Sequence, residues 1–294
     1  MDAVEPRTGR VSGDGLPPGV FEAMGTVVSI RVGGTGEHAD AATAAASAVF
    51  ARWEAHCSLF DPDSELSRVG RGELALVDAS ADVRDAYALA LHWRDATDGA
   101  FTPHRGDGLI DLNGVVKALA VEEAGEALDR AGFRGWAIGA GGDVLVAQTH
   151  GDPAGPPMGI GIVDPADRSA LLARIDLDPP RRRAVATSGS AERGDHICTL
   201  PGAGPSPFLQ VSVAAADLVT ADVLATAIVA GGRTSLDDLA DRHDIDVLVV
   251  ARGGGLLATP GWPRGAHAGG DRSGATVAGG QHPQSAASSV GSVS

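Results

Sequence analysis

WAIGAGGDVLVAQ, residues 136–148, decides the fold class. WAIG (136–139) and DVLVAQ (143–148) read as strands, and the glycines of GAGGD (139–143) suit a tight hairpin between them or a backbone that approaches a ligand closely. Downstream, MGIGIV (158–163), ALLARIDL (170–177), AVATS (184–188) and QVSVAAA (210–216) continue as strands with no helix between them. Consecutive strands of this kind pair antiparallel, so the expectation is an α+β fold and not a doubly wound sheet. A helix from about Ala221 to Ala230 and a short one around Ser235 to Arg242 lead into a last strand, DVLVV (246–250). Upstream lie a strand at TVVSIRV (26–32) and helices at Ala41 to His56, Asp82 to Thr97 and Gly114 to Ala131, the last closed by Gly132.

The 294 residues bury a core with ease, and 44% apolar with 21% charged residues is ordinary for a globular chain. Lys plus Arg total 23 against 38 acids, a formal charge of −15, which repels nucleic acid and anionic membrane surfaces. A phosphate-bearing ligand must therefore be held by local geometry or by a metal ion. Cys57 and Cys198 are too few for a disulfide scaffold and wrongly spaced for zinc. No apolar leader or membrane-length apolar run is visible, so a cytoplasmic protein with no membrane segment is expected. Residues 1–19 read as a loose Gly/Pro-rich lead, 20–262 as one domain, and 263–294 as a disordered tail without Leu, Ile or Phe, whose His267 and His282 are not ligands.

Several short stretches carry oxygen and nitrogen donors at useful spacings. In TADVLATAIVA (220–230), Asp222 and Thr226 share one helix face a turn apart, a half-site for Mg²⁺. The same letters also suit Thr220 as the helix cap, with Asp222 against the positive end of the dipole on an accessible helix start. In IDLNGVVKALAVEEA (110–124), Asn113-Gly114 opens a helix bearing Lys117, which either aims amides and an ammonium at an anion or is a plain turn with an exposed lysine. Ser188 ends a strand with no GxSxG elbow around it, and His196 heads the short apolar step to Ile197. Met24-Gly25-Thr26 runs straight into a strand, where a thioether either lies on a flat ligand or fills core.

The order of these stretches is more telling than any one of them. MGT (24–26), FDPDSELSRV (60–69), DGAF (98–101), DLNGVVKALAVEEA (111–124), GAGGD (139–143), ATSGSAERGDHI (186–197) and TADVLATA (220–227) together resemble the ApbE family, flavin transferases that use FAD to attach FMN to a protein threonine. The resemblance implies an ApbE-like (T-fold-like) α+β domain of mainly antiparallel sheets with flanking helices. It also implies Mg²⁺-dependent phosphoryl transfer, in which a threonine-bearing acceptor protein attacks the FMN phosphorus and AMP leaves. Metal ligands would map to Asp222, Thr226 and the Gly114 carbonyl. Flavin contacts would map to Met24, Phe60, Ala100, Phe101, Thr102, Asp111, Lys117 and Ile197, and His196 would be the base. Departures from the family pattern are Thr102 in place of Asp, Lys117-Ala118-Leu119 in place of Lys-Gly-aromatic, and Cys198-Thr199-Leu200 after His196-Ile197. The alternatives are FAD hydrolysis to FMN and AMP, or flavin binding without turnover.

Overall fold

The computed structural model describes residues 19–147, 158–189 and 205–262, together with the strand Ala275–Val277. Strands β1 (Gly19–Ala23), β2 (Thr26–Arg31), β3 (Ala137–Ala140), β4 (Asp143–Val146), β7 (Ala184–Gly189), β8 (Phe208–Ala215), β9 (Asp246–Ala251), β10 (Leu256–Ala258) and β11 (Ala275–Val277) form one sheet in that order. Every pairing is antiparallel except β10 with β11. The hairpin β5 (Met158–Val163) and β6 (Leu171–Leu177) stands as a separate sheet. The helices are α1 (Gly36–Cys57), α2 (Glu65–Gly70), α3 (Ala81–Ala96), α4 (Asn113–Arg130) and α5 (Leu218–Arg242). None is long and apolar enough to cross a membrane. This is the expected α+β architecture with antiparallel pairing.

Strand parity sorts the core into two layers. Side chains of alternate residues leave opposite faces of a strand, and Ile138, Leu145, Ala186, Val211, Val213, Val247 and Val249 pack against the helices. Their neighbours Ala137, Val146, Val185, Ala214 and Leu248 pack with Ile160, Ile162, Ile175 and Leu177 of the β5–β6 hairpin. Because both faces are covered, β9 is buried at every residue but the last and is apolar after Asp246. On the helix side α1 offers Ala42, Ala46, Phe50, Trp53 and Cys57, spaced at three and four along one stripe. Gly125 lets α4 seat on Trp136, since a Cβ there would lie 2.4 Å from the indole. Trp136 in turn donates its Nε1 hydrogen to Asp129 at 2.8 Å.

Of the expectations about the last helices, the break between them holds and the cap is corrected. α5 comprises two helical segments on either side of Gly232, whose φ of 66° and ψ of −143° are not helical, so the expected helix to about Ala230 and the short one around Ser235 to Arg242 are both present. Its cap is Asp217, not Thr220: the Asp217 carboxylate accepts from the Thr220 amide at 2.7 Å and from the Thr220 hydroxyl at 2.8 Å. A second carboxylate, Glu122 of α4, accepts from the Leu218 amide at 2.5 Å and lies 3.4 Å from Arg183. Burial pushes the Glu122 carboxyl up, while the amide and Arg183 pull the other way. The start of α5 is thus fixed by α4, which sets where Asp222 stands relative to Lys117. β1, α2 and β10 have no counterpart in the reading of the sequence. Of the segment read as a tail, residues 275–277 form β11, and the rest lies outside the described residues, as does most of 1–19.

Candidate functional site

Parity on β4 and β7 places polar atoms among the helix-facing core. Asp143 precedes Leu145 by two and Ser188 follows Ala186 by two, so both side chains leave the sheet on the helix side. There they meet α4 and α5. The Lys117 ammonium of α4 is ion-paired with Asp143 Oδ2 and lies 3.4 Å from Asp222 Oδ2 of α5. Asp143 Oδ1 accepts from the Thr187 amide at 3.0 Å. One turn along α5, the Thr226 hydroxyl is 2.9 Å from the Ser188 hydroxyl.

These groups are deeply set: side-chain exposure is 0% for Asp143, 7% for Asp222 and 13% for Lys117. Neither the accessible helix start expected for Asp222 nor the exposed lysine of a plain turn holds, because α5 is covered by the sheet on one side and by α4 on another. Loss of hydration pushes the Asp143 carboxyl up to about 7; Lys117 opposes the rise and Asp222 adds to it. With both carboxyls ionised, two carboxylates against one ammonium leave one negative charge in surplus, which either a proton on Asp143 or an additional cation relieves.

The loop before α4 brings other expected residues close to its first turn. His104 bridges to Ile110, and the Asp111 amide donates to the Pro103 carbonyl at 2.8 Å, folding residues 103–111 back on themselves. Asp111 Oδ1 then accepts from the Asn113 amide at 2.9 Å. Ala100 and Phe101 are buried, and the Phe101 ring lies against Gly114, where a Cβ would come within 2.6 Å of the ring. Gly114 is there for close packing, as its φ is not positive. Thr102 is exposed, its hydroxyl accepting from the His104 amide at 3.2 Å. Met24 holds φ of 52° in the β1–β2 turn, and its amide donates to Glu54 at 3.1 Å. Phe60 is 93% exposed, on a turn held by the Ser58 hydroxyl. His196 and Ile197 lie outside the described residues.

The sequence reading missed Asp143 and Ser188 as members of this cluster. The available signal was parity: each polar letter stands two positions from an apolar residue whose side faces the helices. Cys57 is no competing nucleophile, since burial, with Asp82 and Glu65 adding, pushes its thiol up to about 12. Among the described residues, no three His, Cys, Asp or Glu side chains gather into a metal cage.

Comparison with known proteins gives a consistent picture. No curated protein matches the chain. Among solved structures, the chain is similar to an ApbE protein from Thermotoga maritima, with 22% identity and a TM-score of 0.68 over 81% of this chain and 95% of that one. It is similar as well to flavin transferase ApbE from Vibrio cholerae, with 20% identity and a TM-score of 0.65 over 82% and 95%. The flavinyl transferase ApbE of Pseudomonas stutzeri gives 21% identity and a TM-score of 0.65 over 84% and 95%. These likenesses establish the fold. The sequence model described as "ApbE family" matches residues 24–109 and 104–249, most of the chain, and on that match the protein belongs to the ApbE family.

Proposed function

We propose that this chain is an FAD:protein FMN transferase that works with Mg²⁺. The observation that carries the reading is the buried cluster of Lys117, Asp143 and Asp222, with its surplus negative charge, one turn from the Thr226 hydroxyl. Asp222 and Thr226 are hard oxygen donors that suit Mg²⁺, and the Gly114 carbonyl joins them by family resemblance. So few protein ligands fit an ion that takes its remaining ligands from substrate phosphates, as Mg²⁺ does at nucleotide sites. When bound, the ion supplies charge neutralisation and polarisation at the FAD pyrophosphate.

The residues of the chain do the rest. Lys117 sets a fixed positive charge beside Asp222, in a setting dry enough for that charge to act strongly on a phosphate. Asp111, with one carboxylate oxygen already engaged by the Asn113 amide, and the Ala100–Thr102 loop flank the start of α4, where the family's flavin contacts map. Met24, Phe60 and Ile197 complete that set by resemblance. An acceptor threonine hydroxyl attacks the FMN phosphorus, its proton passes to His196 as base, and the bond to AMP breaks.

The test is direct. The protein is incubated with FAD, Mg²⁺ and an extract of its source organism, and covalent flavin is followed by fluorescence on a denaturing gel, with peptide mass spectrometry of the fluorescent bands. FMN on a threonine, together with released AMP, is the expected result. Free FMN and AMP with no covalent flavin would replace transfer by hydrolysis. Bound FAD that survives unchanged would make the protein a flavin binder.

A further inference from the structure

Asp143 leaves the Gly141-Gly142 turn with its side chain wholly buried and both carboxylate oxygens engaged. Oδ1 is fixed by the Thr187 amide of β7 at 3.0 Å, and Oδ2 grips the Lys117 ammonium. The same ammonium lies 3.4 Å from Asp222. One lysine is therefore shared by two carboxylates, with the tighter contact on Asp143. Only the other, Asp222, stands a turn from a hydroxyl ligand.

A lysine without this division would compete with metal. Away from water, an ammonium already at 3.4 Å would close on Asp222 and neutralise the carboxylate that a divalent ion needs. Asp143 prevents the collapse because its carboxylate, held by the Thr187 amide, offers the ammonium a nearer partner. We propose that Asp143 is a positioning residue: by drawing Lys117 toward β4 it keeps Asp222 available to Mg²⁺ while leaving the ammonium beside the phosphate site. The proposal rests on the reading of Asp222 as a metal ligand given above.

The test uses the full chain at saturating FAD, without acceptor, and measures Mn²⁺ affinity by electron paramagnetic resonance, with the unfolding midpoint recorded in parallel. Asp143→Asn keeps the volume and the acceptor for Thr187 but removes the charge. It is expected to weaken Mn²⁺ binding about tenfold or more, the usual scale for a group that orients a metal ligand. Lys117→Met removes the competitor, and the double variant Asp143→Asn, Lys117→Met is expected to return to within about threefold of Lys117→Met alone. A merely structural Asp143 would weaken binding equally in both backgrounds, and that result overturns the proposal, as does unchanged affinity in Asp143→Asn. If Asp143→Asn does not fold, the double variant, which leaves no lysine to misplace, carries the comparison: equality with Lys117→Met supports the proposal and a tenfold deficit overturns it. Mn²⁺ affinity indifferent to Asp222→Ala would sink the metal reading and the proposal together. The expected pattern in an enzyme that modifies no acceptor would support the proposal and refute transfer.

Discussion

Two clusters of charge sit at opposite ends of β7, and they are built differently: the first is a buried Arg182–Asp246 pair flanked by the exposed Arg181 and Asp244. At its start, Arg181 and Arg182 face Asp244 and Asp246: Arg182 Nε donates to Asp246 at 2.7 Å, its second nitrogen donates to Asp244 at 2.8 Å, and Arg181 reaches Asp244 at 2.9 Å. Arg182 also donates to the Asp244 and Arg181 carbonyls. Charge there is matched two against two, and the guanidinium of Arg182 has a partner for each of its nitrogens. At the other end, one ammonium faces the two carboxylates Asp143 and Asp222. Matched charge with saturated hydrogen bonds ties strands together and asks for nothing more. Unmatched buried charge costs stability unless a proton or a cation completes it, which is why the second cluster is the one proposed to bind.

The comparison breaks if the matched cluster proves dispensable. Arg182→Met leaves Asp246 buried without its main partner, and a loss of about 3 to 5 kcal/mol in unfolding free energy is expected from urea titration. Activity per folded molecule should stay within about twofold of the original, because the matched cluster lies a strand's length from the transfer site. A large fall in activity with stability unchanged would mean that the two ends do not divide the work in this way.

A smaller effect sharpens the boundary of the unmatched end. Gly114→Ala places a methyl 2.6 Å from the Phe101 ring, which is buried and rigid. Either the ring or the first turn of α4 must give, at a cost of about 1 to 3 kcal/mol for overpacking. FAD affinity, read by flavin fluorescence, should fall along with the unfolding midpoint, since Phe101 and Asp111 share that turn. Affinity unchanged beside a lowered midpoint would separate the Phe101 loop from the flavin.

The sequence made the sheet legible because its strands are apolar runs separated by glycine and proline, so β2 to β9 fall within a few residues of their expected limits. β1 escaped because Gly19–Ala23 adjoins a Gly/Pro-rich lead, and α2 because six residues carry too little periodicity. The gap read between two late helices is Gly231-Gly232, legible because glycine takes the non-helical φ of 66° found at Gly232. Asp222 and Thr226 were legible as partners because helical spacing is local. Their depth was not, since it depends on α5 packing against both α4 and the sheet. Asp143 was hidden for the same reason: its meaning comes from Lys117 and Thr187, on a helix and a strand far away in sequence. Local rules put Asp222 and Thr226 on one helix face, and long-range packing supplied the lysine between the carboxylates.

Asp222 is proposed to hold the cation that makes FAD reactive. Release of AMP from FAD, measured against Mg²⁺ concentration in the presence of the source extract, tests it most directly when the original protein is compared with Asp222→Ala. The account expects saturable Mg²⁺ dependence in the first, a fall of more than about a hundredfold in the second, and an unfolding midpoint that barely moves, because one of two like charges has been removed from a crowded cluster. AMP release that persists in Asp222→Ala with the same Mg²⁺ dependence would contradict it.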